Sequence, residues 1–317
     1  MNIIYFIIQN SFLFIIPLLI VALGGMFSER GGVVNIALEG IMVMGAFFGI
    51  FFIRIFSGKM PDQLLFIVAI LVSAIIGMIY SLFHAYAAIN MRADQTISGT
   101  ALNLFATAFA VYAAKVILGV KQIDFENTFR IIKVPFLSEI PFIGDMFFKN
   151  VYLSTYLGLV ILLVSAFVLF KTRFGLRLRS CGEHPQASDA AGINVGKMRY
   201  MGVIISGALA GMGGLILIVP ITTNFSGDAL GYGFLALAVL IFGQWRPYRI
   251  FLAAVFFGLT STISNTFTII PFLAALKLPS AFYKILPYLA TLIVLTFTSK
   301  KSAAPRASGE PYDQGKR

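Results

Sequence analysis

An all-α, polytopic bundle of membrane helices is the fold class this sequence predicts, on three observations. Hydrophobic residues fill 59% of the 317 positions and charged residues only 12%, against roughly 45–50% and about 25% in a soluble domain. Mean hydropathy is +0.91. The apolar residues also form unbroken runs, such as VYLSTYLGLVILLVSAFVLF at 151–170, and about 20 such residues cross the roughly 30 Å of bilayer hydrocarbon as a helix. A membrane barrel would instead alternate polar and apolar residues over short segments.

The same composition excludes a soluble enzyme, a disordered chain and a disulfide scaffold. With one cysteine, Cys181, and two histidines, the chain has neither an internal disulfide nor a Cys/His zinc cluster. The formal charge of +11 does not indicate nucleic acid, because the cations cluster between apolar runs.

Spans are predicted near 3–26, 34–53, 63–86, 100–118, 151–170, 201–220, 232–244, 250–270 and 284–299. Nine is the preferred number within a range of eight to ten, because the seventh run is short and the second opens with the polar stretch SERGGVVNIALEG. The first run lacks a basic leader and an A-x-A-like cleavage site, so it is expected to remain as a mature helix. Residues 1–299 thus form one transmembrane domain, and the polar stretch 300–317, bearing Pro and Gly, is expected to be a flexible cytoplasmic tail. Its basic start suits a topology signal and a lipid-headgroup anchor.

Orientation follows from loop cations. The 171–200 loop carries Lys171, Arg173, Arg177, Arg179, Lys197 and Arg199, so it is expected inside, with the amino terminus outside and the carboxyl terminus inside. The long outer segment 119–150, with IIKVPFL and IPFIGDMFF, reads as a lid or docking surface on the membrane.

Small residues recur every four positions in SGALAGMGG (206–214), a spacing that lets helix backbones approach closely; the neighbour lies in this chain or in a partner. Two polar interruptions stand out. In the first, Asn35 and Glu39 share a helical face; a carboxylate at membrane depth faces protein or water. Glu39 either lines a polar path or sits near the inner boundary and caps or pairs locally, with Arg30 as the candidate partner. The second, TTNFSGDALGYG (222–233), holds Asn224, Phe225 and Asp228. Polar, Gly-rich interruptions in both halves of a carrier mark discontinuous helices near the substrate path. The two lie on opposite sides in this topology, as inverted-repeat halves would place them, although no residue-level self-similarity accompanies the placement. Asn103 and Asn265 lie mid-span, where helix-to-helix hydrogen bonding competes with a place on the path.

No catalytic constellation is present. The segment from Gly192 to Lys197 has three residues between its glycines where a phosphate loop needs four, and Met198 follows where that loop needs Ser or Thr. No nucleotide or metal is therefore expected to bind this chain.

The inner loop FGLRLRSCGEHPQASDAAGINVGKMRY (174–200) holds one more element. Pro185 suits a first helical position, 186–191 follow as about a turn and a half, and Gly192 ends it. This loop resembles the cytoplasmic coupling segment of ABC-importer permeases in the family serving branched-chain amino acids, ribose and nucleosides, through Arg179, Gly182, Glu183, Pro185, Ala187, Ala190, Ala191, Gly192 and Ile193. ERGGVVNIALEGIMVMGAF (29–47), MRADQTISGTALNL (91–104) and GFLALAVLIFGQWRP (233–247) are similar to further signatures of that family, and the likeness is strongest to the shorter permease of nucleoside (guanosine-type) and simple-sugar systems. The resemblance implies a bacterial plasma-membrane permease subunit translocating a nucleoside or simple sugar. Its partners would be a second permease, an extracytoplasmic solute-binding lipoprotein and a cytoplasmic ATPase that binds ATP and Mg²⁺. The ATPase would grip Glu183, His184, Pro185, Ala187, Asp189, Ala190, Ala191 and Gly192, with Glu183 and Asp189 meeting its basic residues.

An ion-coupled carrier using Glu39 or Asp228 is the alternative, and it leaves the 185–191 helix without a purpose. A membrane enzyme has no candidate nucleophile or metal set.

Overall fold

The computed structural model describes residues 3–270, positions 273, 275, 276, 279, 282, 283, 285–287, 289 and 292, residues 303–313, and 315. The expected span 284–299 therefore lies largely outside the described residues.

The helices are α1 (Ile3–Arg30), α2 (Leu38–Phe56), α3 (Asp62–Ile89), α4 (Gln95–Leu118), α5 (Ile143–Phe147), α6 (Leu153–Lys171), α7 (Arg173–Glu183), α8 (Pro185–Ala190), α9 (Val195–Ile221), α10 (Tyr232–Phe242) and α11 (Pro247–Thr266). Among the described residues, seven are long and apolar enough to cross a membrane: α1, α2, α3, α4, α6, α9 and α11. With the shorter α10 they match the first eight expected spans.

Helix ends follow local chemistry. Asp94 Oδ1 accepts the Thr96 and Ile97 N–H groups at 2.8 and 3.0 Å, which starts α4. Asn194 Oδ1 accepts Lys197 N–H at 2.8 Å at the start of α9, and Thr172 Oγ1 accepts Gly175 N–H at 3.2 Å at the start of α7.

α9 is the hub, packed by α1, α2 and α3. The neighbour of its small-residue stripe is this chain. A Cβ on Gly207 or Gly211 would fall inside contact distance of the α3 backbone at Gly77 and Ser73, and one on Gly214 would meet the α2 backbone at Met42. α4 and α6 are peripheral. α4 turns Gly99, Asn103, Ala106, Ala110 and Ala114 inward and leaves Leu104, Phe105 and Tyr112 exposed.

Among the described residues, four short strands trim the end opposite α7 and α8: β1 (Ile123–Asp124), β2 (Ile131–Lys133), β3 (Lys149–Val151) and β4 (Asn224–Phe225). β1 pairs antiparallel with β4, Ile123 opposite Phe225, and β2 with β3. They fold the 119–150 segment over the bundle mouth, where Gln9 Nε2 donates to Asp145 O at 2.6 Å.

Residues 303–313 correct the expectation of a flexible tail. They lie along the α7–α8 end of the bundle: Ala307 N–H donates to Gly182 O at 2.9 Å, Gly309 N–H to Gly32 O at 3.2 Å, and Arg92 pairs with Asp313 at 3.1 Å. The anchor is Arg199, only 1% exposed, whose Nη1 donates to Glu310 O at 2.9 Å and whose guanidinium sits 5.9 Å from the Tyr312 ring centre. Polar composition made this stretch read as disordered, but a buried arginine supplies what holds it.

Candidate functional site

Between α1 and α2 the helix is broken over residues 31–37. Gly32, at φ +95°, makes the turn that few other residues would tolerate. Within a bilayer every freed backbone group needs a protein partner, and neighbouring side chains supply them. Ser28 Oγ donates to Val33 O at 2.6 Å and Gln95 Oε1 accepts Val34 N–H at 2.7 Å. His84 Nε2 lies 2.9 Å from Val34 O. A carbonyl only accepts, so Nε2 carries the proton, and Nδ1 is left to meet Ser98 Oγ at 2.9 Å. Asn103 Nδ2 donates to Ile36 O at 2.9 Å while its Oδ1 accepts Gly40 N–H at 2.7 Å. Asn35 Nδ2 donates to Ser206 Oγ at 2.9 Å.

The second interruption ends in an equally short helix. The 11 residues of α10 rise about 16 Å, half of the roughly 30 Å of hydrocarbon. The turn after α10 meets the end of α1: Trp245 Nε1 donates to Glu29 Oε2 at 2.6 Å and Arg30 Nη2 to Trp245 O at 3.0 Å. The start of α10 is therefore at mid-depth. From β4, residues 226–231 turn back into the bundle, with Gly227 against Thr107, Ala110 and Val111 of α4.

There Glu39, 8% exposed, caps α10: Oε1 accepts Gly231 N–H at 2.9 Å and Oε2 accepts Gly233 N–H at 2.6 Å. Glu39 therefore does cap, but it caps a helix distant in sequence and does not pair with Arg30, which faces Glu183 at 3.6 Å. The two interruptions, entering from opposite ends, meet in one carboxylate.

Beside this junction lies a cavity of about 280 Å³. Phe14 and Tyr232 form one wall, their rings 6.1 Å apart and inclined by 26°. Ser261, Ser264 and Asn265 of α11 form the polar wall, with Asn265 Nδ2 donating to Ser261 O at 2.8 Å. Of the candidate path residues, Asn265 lines this cavity. Asp228 does not line it; its Oδ1 accepts the N–H of Leu230, which does, at 2.8 Å. Asn103 is spent on bracing the break, whereas Asn35 bonds Ser206 through Nδ2 and its buried Oδ1 has no hydrogen-bond partner among the described residues. Phe225 is buried behind β1, and Asn224 pairs opposite Asp124 at the mouth, so both lie away from the cavity; a Gly-rich polar stretch marked the return loop without telling which residues face the void. Phe14, Tyr232, Ser261 and Ser264 were missed. The serines had a signal, since Ser261, Ser264 and Asn265 fall at i, i+3 and i+4 of one helix face.

At the other end, Pro185 opens α8 at its first position and Gly192, at φ +79°, follows its close. His184, Ala187, Ala190, Ala191 and Gly192 are exposed, leaving a small-residue surface. Glu183, its side chain 41% exposed, faces Arg30 at 3.6 Å, and Asp189 bonds to Tyr312 of the tail. Gly182 abuts the carbonyl of Arg30, and the Arg199 guanidinium lies under Gly32. The α7–α8 loop is thereby tied to the break. Cys181 is fully buried here, and burial raises its thiol pKa.

A family model described as the branched-chain amino acid transport system permease component matches residues 7–295. The chain is 42% identical over 313 residues to the guanosine ABC transporter permease protein NupQ of Bacillus subtilis (strain 168), spanning 98% of this chain and 97% of that one. It is 42% identical over 316 residues to the nucleoside ABC transporter permease protein NupC of Lactococcus lactis subsp. cremoris (strain MG1363), spanning 99% of each. The nucleoside ABC transporter permease protein NupB of the same strain is 27% identical over 268 residues, covering 78% of this chain and 69% of that one.

Proposed function

The chain belongs to the branched-chain amino acid transport system permease family, and from that premise we propose that this multi-pass membrane subunit of an ABC importer carries nucleosides. The observation that carries the proposal is near-complete alignment at 42% identity with permeases named for guanosine and nucleosides. The cavity agrees with such a cargo: a flat base suits the Phe14–Tyr232 wall, and ribose hydroxyls suit Ser261, Ser264 and Asn265.

In this reading the α7–α8 end faces the cytoplasm, where a separate ATPase binds ATP and Mg²⁺ and seats the exposed face of α8. A second permease completes the path, and a binding lipoprotein delivers solute at the 119–150 end. ATPase closure moves α8. Because Gly182 abuts Arg30 and Arg199 underlies Gly32, that motion reaches the 31–37 break, and through Glu39 it reaches α10 and the Tyr232 wall. Both Glu39 oxygens are occupied by N–H groups, which argues against the ion-coupled alternative.

The test is uptake of labelled guanosine and of ribose into proteoliposomes holding the whole complex, with ATP or with an imposed ion gradient. ATP-dependent guanosine uptake is expected. Uptake driven by the gradient alone would contradict the proposal, and ribose uptake without guanosine would move the cargo to sugars.

A further inference from the structure

A second cavity, of about 670 Å³, opens on the flank of the bundle where α6 ends and α11 begins. Arg30, Lys171, Arg179 and Arg246 line it, and no acidic residue among the described residues does. Arg30 turns its side chain partly toward Glu183, yet its buried Nε has no hydrogen-bond partner. Lys171 and Arg246 make no ion pair among the described residues. Arg179 lies over the Phe170 ring at 4.8 Å from its centre. Clustered like charges of this kind repel one another unless an anion sits among them.

The rest of the wall is apolar and outward-facing. Leu163 is 60% exposed, Phe167 61% and Tyr248 64%. A free phosphate has no use for such a wall, whereas a molecule with a phosphate head and hydrocarbon tails matches both halves. The position is right as well, because Lys171 closes one spanning helix and Pro247 opens another, so the cations sit at headgroup level. α7 beside it has the character of a helix lying in the membrane surface, with Leu176 62% exposed and Arg173, Arg177 and Arg179 on it.

We propose that the pocket formed by Arg30, Lys171, Arg179 and Arg246 binds the headgroup of an anionic phospholipid, whose acyl chains run along Leu163, Phe167 and Tyr248. Basic pockets between membrane helices bind such headgroups by charge. Through Arg30 and α7 the bound lipid would brace the loop that carries α8.

The test is native mass spectrometry of the full-length chain in micelles containing phosphatidylglycerol or phosphatidylcholine. Wild type is expected to retain phosphatidylglycerol about tenfold over phosphatidylcholine. Arg179→Gln/Arg246→Gln should lose that preference, and Arg179→Lys/Arg246→Lys should keep most of it. Equal retention of the two lipids by wild type, or an unchanged preference in the Gln variant, would overturn the site. Displacement of the lipid by inorganic phosphate would make it a site for the free anion instead. In case the Gln variant does not fold, the wild-type chain alone serves: phosphatidylglycerol should raise its Tm where phosphatidylcholine and inorganic phosphate do not, and equal Tm in all three overturns the proposal. A photocrosslinker at Phe167 in the assembled complex should capture phospholipid; capture of the second permease would show that protein covers the pocket.

Discussion

Glu39 and Gly233, 194 positions apart in sequence, are joined inside the bundle by a 2.6 Å hydrogen bond from the glycine N–H to the carboxylate. With the Gly231 bond to the other oxygen, one buried side chain satisfies the start of α10. The two broken helices are thus a single mechanical unit.

Glu39→Ala leaves two buried N–H groups without an acceptor, at roughly 1–3 kcal/mol each. Thermal unfolding in detergent should show a destabilisation of about 2–6 kcal/mol, and uptake should fall with it. Glu39→Gln keeps one acceptor but points an amide donor at the other N–H, so its loss should be about half as large. Equal stability of Ala and wild type would remove Glu39 from this role.

Asn103 both donates to Ile36 O and accepts from Gly40 N–H. Asn103→Leu fills the space but satisfies neither, so it should cost about 2–4 kcal/mol by the same measurement. Asn103→Asp keeps the Gly40 bond and loses the one to Ile36, and should fall between.

The exposed face of α8 should act by docking rather than folding. Ala190→Trp adds bulk on the surface and should leave insertion and Tm unchanged, while ATPase co-purification and guanosine uptake drop to background. Retained uptake would contradict the assignment of α8 as the ATPase seat.

Cys181 reports on the tail. It is fully buried, burial raises its pKa, and the next residue's carbonyl holds Ala307 N–H. A maleimide, which the thiolate attacks, should label it slowly from either side of the membrane, and completely only after denaturation. Removing residues 303–317 should speed labelling by about tenfold or more. Fast labelling of the intact chain would show that the tail does not lie where Arg199 and Gly182 hold it. Orientation is better read from a surface position, such as Ala187→Cys in a Cys181→Ala background.

The spans were legible because about 20 apolar residues in a row have one stable arrangement in a bilayer. Which face packs was not. In lipid, hydrophobicity does not separate inside from outside, and size does that work; α4 buries Gly99, Ala106, Ala110 and Ala114 and exposes Phe105. The polar breaks were legible for the same reason the spans were, since Asn35, Glu39 and Asp228 interrupt apolar runs. Their roles were hidden. Glu39 meets Gly233, and Asn103 meets Ile36, across distances in sequence that no local pattern encodes. The α8 turn was readable because Pro185 and Gly192 act locally. The tail was misread because its partner, Arg199, belongs to another segment.

The central claim is that cargo passes the cavity between the Phe14–Tyr232 wall and the α11 polar face, under control of α8. Its most direct measurement is ATP-driven uptake of labelled guanosine by the whole complex carrying Tyr232→Leu together with Asn265→Leu, against wild type at equal expression. Removing the stacking ring and the polar partner should lower uptake at least about tenfold, since base stacking alone is worth about 1–3 kcal/mol, while ATPase co-purification is unchanged. Wild-type uptake by that variant would contradict the account.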